Sequence, residues 1–247
     1  MEDPGYDSDT RPVTLTDDLK AKLNSVATPT LAGALQDRGI QNGILVGLKP
    51  TRPDMRLLGY AHTLRYVPKA PEFEARTKGR NMQRYAIETI ELDEVLIMEA
   101  RYETLAGTIG DIYSMRVKQR GGTGVITDGC LRDTPGITEI DLPVYHYCSH
   151  GARVGRVHTA LDHQVPITCA GVTVFPGDIL VGDAEGVCVL PARLAEEIAD
   201  QCVEDELREE WGLWRVSEGE PIDTTFPMHE SRQAEYEAWK RDVKGLG

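Results

Sequence analysis

Two short segments carry residue types and spacings suited to chemistry. The first is Gly110-Asp111-Ile112-Tyr113-Ser114; the second, a helix-length gap later, is Thr127-Asp128-Gly129-Cys130-Leu131-Arg132-Asp133. A loop that opens a helix points free backbone N–H groups, and the positive end of the helix dipole, at whatever lies above it. Gly110 lets that backbone approach an anion closely. Arg132 has a planar fork that grips a carboxylate or an enolate. Asp133 is a hard oxygen donor suited to a magnesium or manganese ion that keeps several of its waters, and Asp111 and Asp128 can hydrogen-bond those waters. The two segments together read as a site for a small anion and a divalent cation. A purely structural reading is also open: Asp128-Gly129 as a turn, Asp111 as a helix cap, and Arg132 paired with Asp133 at the surface.

The elements that must position these groups follow from periodicity. Thr16 can cap a helix carrying Leu19, Leu23 and Val26, and Thr30 a second helix ending near Gly39. Strand-like pieces follow at 44–46 and 60–66, then a polar, Pro-containing stretch at 68–80 that reads as a loop or lid. A helical pattern from Asn81 (Met82, Tyr85, Ala86, Ile90) leads into the strand 95–98. The small-residue loop 106–110 comes next, then a helix from about 111 to 120 and a short apolar strand, 124–127. This is a βαβ unit, which presents ligand loops at the carboxyl ends of its strands. Further short strands are expected at 143–148, 165–167, 171–174 and within 178–191, giving a second half that mixes in antiparallel structure. A helix over 192–214 precedes a polar tail with isolated aromatics, including Tyr236 and Trp239, expected to pack on a neighbouring subunit. The acidic run 204–210 reads as a solvated helix face.

With 27 Lys and Arg against 40 Asp and Glu, the chain carries a formal charge of −13. That field repels nucleic acid and anionic membranes, so neither is expected as a partner, and an anionic substrate needs a local positive site. Apolar runs are too short to span a bilayer. The start of the chain is acidic and lacks the basic and apolar stretches of a signal peptide, so a cytoplasmic location is expected. Five scattered cysteines without C-x-x-C spacing are expected to be buried thiols in a reducing compartment.

The blocks Gly110-Asp111, Gly124-Val-Ile-Thr-Asp-Gly-Cys-Leu-Arg-Asp133, Phe175-Pro-Gly-Asp-Ile-Leu-Val-Gly-Asp-Ala-Glu-Gly-Val-Cys-Val-Leu-Pro191 and Thr28-Pro-Thr-Leu-Ala-Gly-Ala-Leu35 resemble the 4-hydroxy-4-methyl-2-oxoglutarate aldolase family. That family also contains the regulator of ribonuclease activity A, RraA. The resemblance covers residues 16–205, leaving an acidic arm at 1–15 and a helical or extended tail at 206–247. It implies an α/β fold, a compact α/β/α swivelling-domain sandwich with a mixed sheet, here followed by the C-terminal helical tail. It also implies assembly as a homotrimer or homohexamer, with sites at subunit interfaces. Carried over, it makes Arg132 the group that grips substrate and stabilises an enolate, Asp133 the direct ligand of Mg2+ or Mn2+, Gly110, Asp111, Ile112 and Tyr113 the cradle of the pyruvate carboxylate, and Asp111 the residue that orders a water. Asp183 or Glu185 would reach the metal waters of a neighbouring site. One position departs from the pattern: where aldolase members usually place an acid three residues after the Arg-Asp aspartate, this chain has Gly136. Glu139, one turn further on, is the expected substitute.

The expected reaction is metal-dependent cleavage of a 4-hydroxy-2-oxo acid to pyruvate and an aldehyde or oxo acid, with oxaloacetate decarboxylation as a side activity through the same enolate. A 2-keto-3-deoxy sugar acid is one candidate substrate. The alternative is a non-catalytic, RraA-type protein-binding regulator of a ribonuclease. A Schiff-base aldolase is disfavoured because no lysine lies within a strongly apolar strand. His146, Cys148 and His150 alternate as zinc ligands would, although packing explains such alternation better. Gly122-Thr123-Gly124 is followed by strand, whereas a dinucleotide loop should open a helix.

Overall fold

A computed structural model describes residues 13–72 and 79–245. Most of the acidic arm, and 73–78 of the expected lid, lie outside the described residues. In chain order the elements are α1 (Asp17–Ser25), α2 (Thr28–Asp37), β1 (Lys49–Pro50), β2 (Leu57–Pro68), α3 (Met82–Thr89), β3 (Glu94–Glu99), β4 (Gly107–Ile109), α4 (Asp111–Gln119), β5 (Gly124–Leu131), α5 (Thr134–Thr138), β6 (Val144–Ser149), β7 (His158–His163), β8 (Ile167–Cys169), β9 (Val172–Val174), β10 (Ile179–Gly182), β11 (Val187–Leu190), α6 (Ala195–Ser217), α7 (Ile222–Thr225) and α8 (Gln233–Lys244). Thr16 caps α1 through the Leu19 N–H, as expected. α2 begins two residues before Thr30, and the Thr30 hydroxyl instead donates to Glu206.

The main sheet runs β1-β6-β5-β3-β2-β10-β11, with β4 added to β5 and β7 to β2. Its centre, β2, β3, β5 and β6, is parallel, and β1, β7, β10 and β11 join antiparallel. This is the expected mixed α/β sandwich. Alternating strand residues divide between its faces, as the pleat requires. Val95, Ile97 and Ile126 point to the side where the β8–β9 pair packs. Leu96, Met98 and Val125 point to α3, α4 and α5. At the other end α1, α2 and α6 cover β10 and β11 through Leu19, Leu23, Leu31, Ile198 and Cys202.

Several expectations are corrected. The apolar strand does not stop at 127: β5 runs to Leu131 and is buried along its whole length. Asp128-Gly129 is therefore strand rather than turn, because Gly107 and Ile109 of β4 supply partners for Cys130 and Leu131. Cys130 and Cys148 are joined as a disulfide, because the β5–β6 register sets them opposite each other, a relationship that linear spacing does not reveal. Cys169, Cys188 and Cys202 are buried thiols, as expected. Of the aromatics of α6 and the tail, Trp211, Tyr236 and Trp239 form a buried cluster within the chain, while Trp214 and Phe226 are exposed. The run 204–210 is only partly solvated, since Glu204 holds Tyr236 and Lys240, and Glu206 accepts the Ala27 N–H. Among the described residues, no helix is long and apolar enough to cross a membrane.

At the start of β7, His158 is fully buried and its ring lies 4.6 Å from that of Tyr66. Among the described residues neither ring nitrogen has a partner, and burial, with a smaller push from Arg101, lowers its pKa from 6.5 to about 4. The folded state thus holds this ring neutral, so its contribution is complete above pH 6.5 and is lost as pH falls toward 4. His158→Phe, which keeps the ring contact and cannot be protonated, should melt several degrees higher than the parent at pH 5 and close to it at pH 7.5. Thermal denaturation across that range checks this, and a gap that does not change with pH would contradict it.

Candidate active site

The site forms where three segments are laced together at the carboxyl end of β5. The Arg132 N–H donates to the Ile109 carbonyl (2.8 Å), the His150 N–H to Leu131 (2.8 Å), and the Gly107 N–H to Ala152 (2.9 Å). Gly107 leaves no room for a side chain: a β-carbon there would lie 2.5 Å from Arg132 Cβ and 2.8 Å from the His150 carbonyl oxygen. This close approach aligns the start of α4 with the Arg132-Asp133 pair.

Gly110 caps α4 in an extended conformation, with no side-chain acceptor for the helix amides. The Ile112 N–H is taken by Asp111 Oδ1 (2.7 Å), and the Ser114 N–H by the Gly110 carbonyl (3.0 Å). Among the described residues, the Asp111 and Tyr113 amides of the expected cradle have no acceptor and stand at the positive end of the helix, where an anion is favoured. Asp133 has φ 59° and ψ 35°, the left-handed region, which aspartate tolerates better than most residues. Strain of this kind concentrates at functional sites. Asp133 precedes α5 yet makes no capping hydrogen bond, so its carboxylate is not consumed by the helix. Its Oδ2 lies 3.7 Å from Arg132 Nε, with both side chains about 40% exposed. An exposed pair of that length contributes little to stability.

These groups line one cleft of about 280 Å³ that contains Gly110, Asp111, Ile112, Tyr113, Arg132 and Asp133. Thr108 of the expected loop also lines it, together with Gln83, Arg153 and Val154, which the sequence reading does not anticipate. Gln83 is buried on α3, with its amide on the Thr108 carbonyl, while Tyr85, expected to face the core, is 54% exposed. A polar residue on the apolar face of that helix is the signal that reveals Gln83. Arg153 arrives through a bridge to Gly107, which no local pattern announces.

Other expected participants lie elsewhere. Asp128 is buried in β5, where its two oxygens accept the N–H groups of Ala100 and Ala170. Glu139 follows α5, is exposed, and is not part of the cleft. Asp183 accepts from the Thr28 N–H, the Thr28 hydroxyl and the Glu185 N–H, and pairs with Arg56. Glu185 is exposed in the turn between β10 and β11. Cys148 is in the disulfide, so the His146-Cys148-His150 set offers no free thiolate. Among the described residues, no group of three His, Cys, Asp or Glu side chains forms a metal cage.

A mixed sheet curled against two helix groups, with the start of α4 and an Arg-Asp pair at its strand ends, defines an RraA-type α/β protein. The family model described as RraA-like, Aldolase/RraA, matches residues 28–189, and the chain belongs to that family. Among solved structures, RraAS2 from Streptomyces coelicolor, described as an unusual member of the RNase ES inhibitor RraA protein family, superposes with a TM-score of 0.71 at 26% identity, covering 79% of this chain and 95% of that one. A Deinococcus radiodurans protein provisionally named 4-hydroxy-4-methyl-2-oxoglutarate aldolase is 31% identical over 137 residues, 56% of this chain and 79% of that protein. DlpA of Legionella pneumophila is 26% identical over 221 residues, which are 88% of this chain and 34% of DlpA. The chain thus spans about a third of DlpA's length.

Proposed function

We propose that this chain is a divalent-metal-dependent aldolase that cleaves a 4-hydroxy-2-oxo acid to pyruvate and an aldehyde or oxo acid. The observation that carries this reading is the convergence of Arg132, Asp133 and the Asp111 and Tyr113 amides in one cleft, where among the described residues the two side chains pair only with each other, at 3.7 Å. The donor set fits Mg2+ or Mn2+. These hard ions bind through one or two carboxylates and retain waters, so a single uncapped carboxylate with a second nearby suffices. Asp133, with Asp111, would hold such an ion, which when bound draws electron density toward the 2-oxo group.

The remaining work falls to the chain itself. The Asp111 and Tyr113 amides bind the C1 carboxylate, and Arg132 lies beside the 2-oxygen. A water oriented by Asp111 takes the 4-hydroxyl proton. The C3–C4 electrons then pass to C3, C4 becomes a carbonyl, and the negative charge collects on the 2-oxygen, where the guanidinium stabilises it. Protonation at C3 completes pyruvate. Oxaloacetate would lose CO2 through the same enolate.

Pyruvate release, followed with a coupled dehydrogenase over a set of 4-hydroxy-2-oxo acids that includes 2-keto-3-deoxy sugar acids, tests this reading. Activity should vanish in excess chelator and return with added Mg2+ or Mn2+. Full turnover in chelator would exclude the metal-dependent reaction. The likeness to RraAS2 favours a second reading, a protein-binding regulator of a ribonuclease. Stoichiometric ribonuclease binding without turnover of any 2-oxo acid would select it.

A further inference from the structure

Two glycines, Gly110 before α4 and Gly136 within α5, each lie close to a carboxylate of the facing segment. A β-carbon on Gly110 would sit 2.9 Å from Asp133 Oδ2, and one on Gly136 would sit 2.9 Å from Asp111 Oδ2 and 3.3 Å from Asp111 Cβ. Backbone conformation does not call for glycine at either place. Gly110 is extended, at φ −121° and ψ −177°, and Gly136 lies inside the helix α5, where glycine costs roughly 1 kcal/mol relative to alanine. What requires glycine at 136 is the space that the Asp111 carboxylate occupies. The other Asp111 oxygen, Oδ1, is held by the Ile112 N–H, so the side chain is fixed at one end while Oδ2 rests over α5. Asp111 and Asp133 line the same cleft.

We propose that Gly136 is a positioning residue. By carrying no side chain it seats Asp111 so that Asp111 and Asp133, one from each loop, act as the carboxylate pair for the divalent cation. Glu139, exposed and outside the cleft, is not needed for that pair. This inference rests on the divalent-cation site of the proposed function.

The test is a double-substitution cycle read by manganese binding without substrate, using the electron paramagnetic resonance signal of free Mn2+. Gly136→Ala adds a methyl group and no charge. It should hold or raise the melting temperature, since alanine favours the helix, while weakening Mn2+ binding roughly tenfold or more, the scale of effect seen when the support of a metal ligand is removed. In an Asp111→Ala background, where no carboxylate remains to be displaced, the same substitution should change Mn2+ affinity less than about twofold. A crystal structure of Gly136→Ala should show the Asp111 carboxylate turned off α5. Equal losses in both backgrounds would overturn the proposal. So would Mn2+ binding that depends on Asp133 and is untouched by Gly136→Ala, and that result would leave the aldolase reading standing. Conversely, coupling between 111 and 136 in a protein that releases pyruvate from no 2-oxo acid would refute the aldolase reading and leave this one in place. A parent protein that binds no Mn2+ would overturn both.

Discussion

Arg132→Ala is expected to lower the kcat for pyruvate release by about a hundred- to a thousandfold, the cost typical of removing one preorganised donor from a developing oxyanion. The fold should barely notice. The Arg132 side chain is 40% exposed and its ionic partner is 3.7 Å away, while the bond that ties the segment to β4 is made by the Arg132 backbone N–H, which alanine keeps. The melting temperature should therefore stay within about two degrees of the parent, as for surface substitutions outside structural features. Arg132→Lys restores the charge without the planar fork and should recover only part of the rate. Steady-state kinetics with parallel thermal melts decide the matter. A variant that loses stability in step with activity would make Arg132 a structural residue and remove the main support for the proposed chemistry.

How much of this was legible in the sequence depends on whether the determining contact was local. The α1 cap at Thr16, the start of α4 at Asp111 and the strand through Val95–Met98 were legible, because a cap or a burial pattern of a few residues specifies them. The length of β5 was not. Asp128-Gly129 carries turn chemistry, and only the pairing of β4 with Cys130 and Leu131 holds that segment extended. The same non-local register set Cys130 opposite Cys148 and carried Arg153 to the cleft. Gly136 read as a missing acid in one dimension. In three dimensions it is the floor beneath Asp111, a relation between residues 25 positions apart that spacing cannot express.

The correction at Asp128 leads to the largest expected stability effect. The residue is 2% exposed, and each carboxylate oxygen serves a different buried amide, Ala100 at the end of β3 and Ala170 after β8. One side chain therefore fastens the β8–β9 layer to the sheet and anchors the segment that leads from β3 to β4 and the cleft. Asp128→Ala strands both N–H groups in a dry interior at about 1–3 kcal/mol each, while removing a charge whose burial is itself unfavourable, for a net loss of about 3 kcal/mol. Asp128→Asn keeps one acceptor and opposes a donor to the other amide, so it should lose less than alanine. Burial is the main cause that raises the Asp128 carboxyl above its ordinary 3.8, and the two amides only partly offset it. A raised folded-state value means that the parent gains stability from this group at low pH and gives it up as pH climbs past the folded value. The asparagine variant has no such group, so its deficit should be largest near pH 4 and shrink toward pH 7. Urea denaturation at both pH values measures this. A deficit below about 0.5 kcal/mol, the size of an ordinary surface change, would show that Asp128 is not the fastener and would return it to the candidates for a role in the cleft.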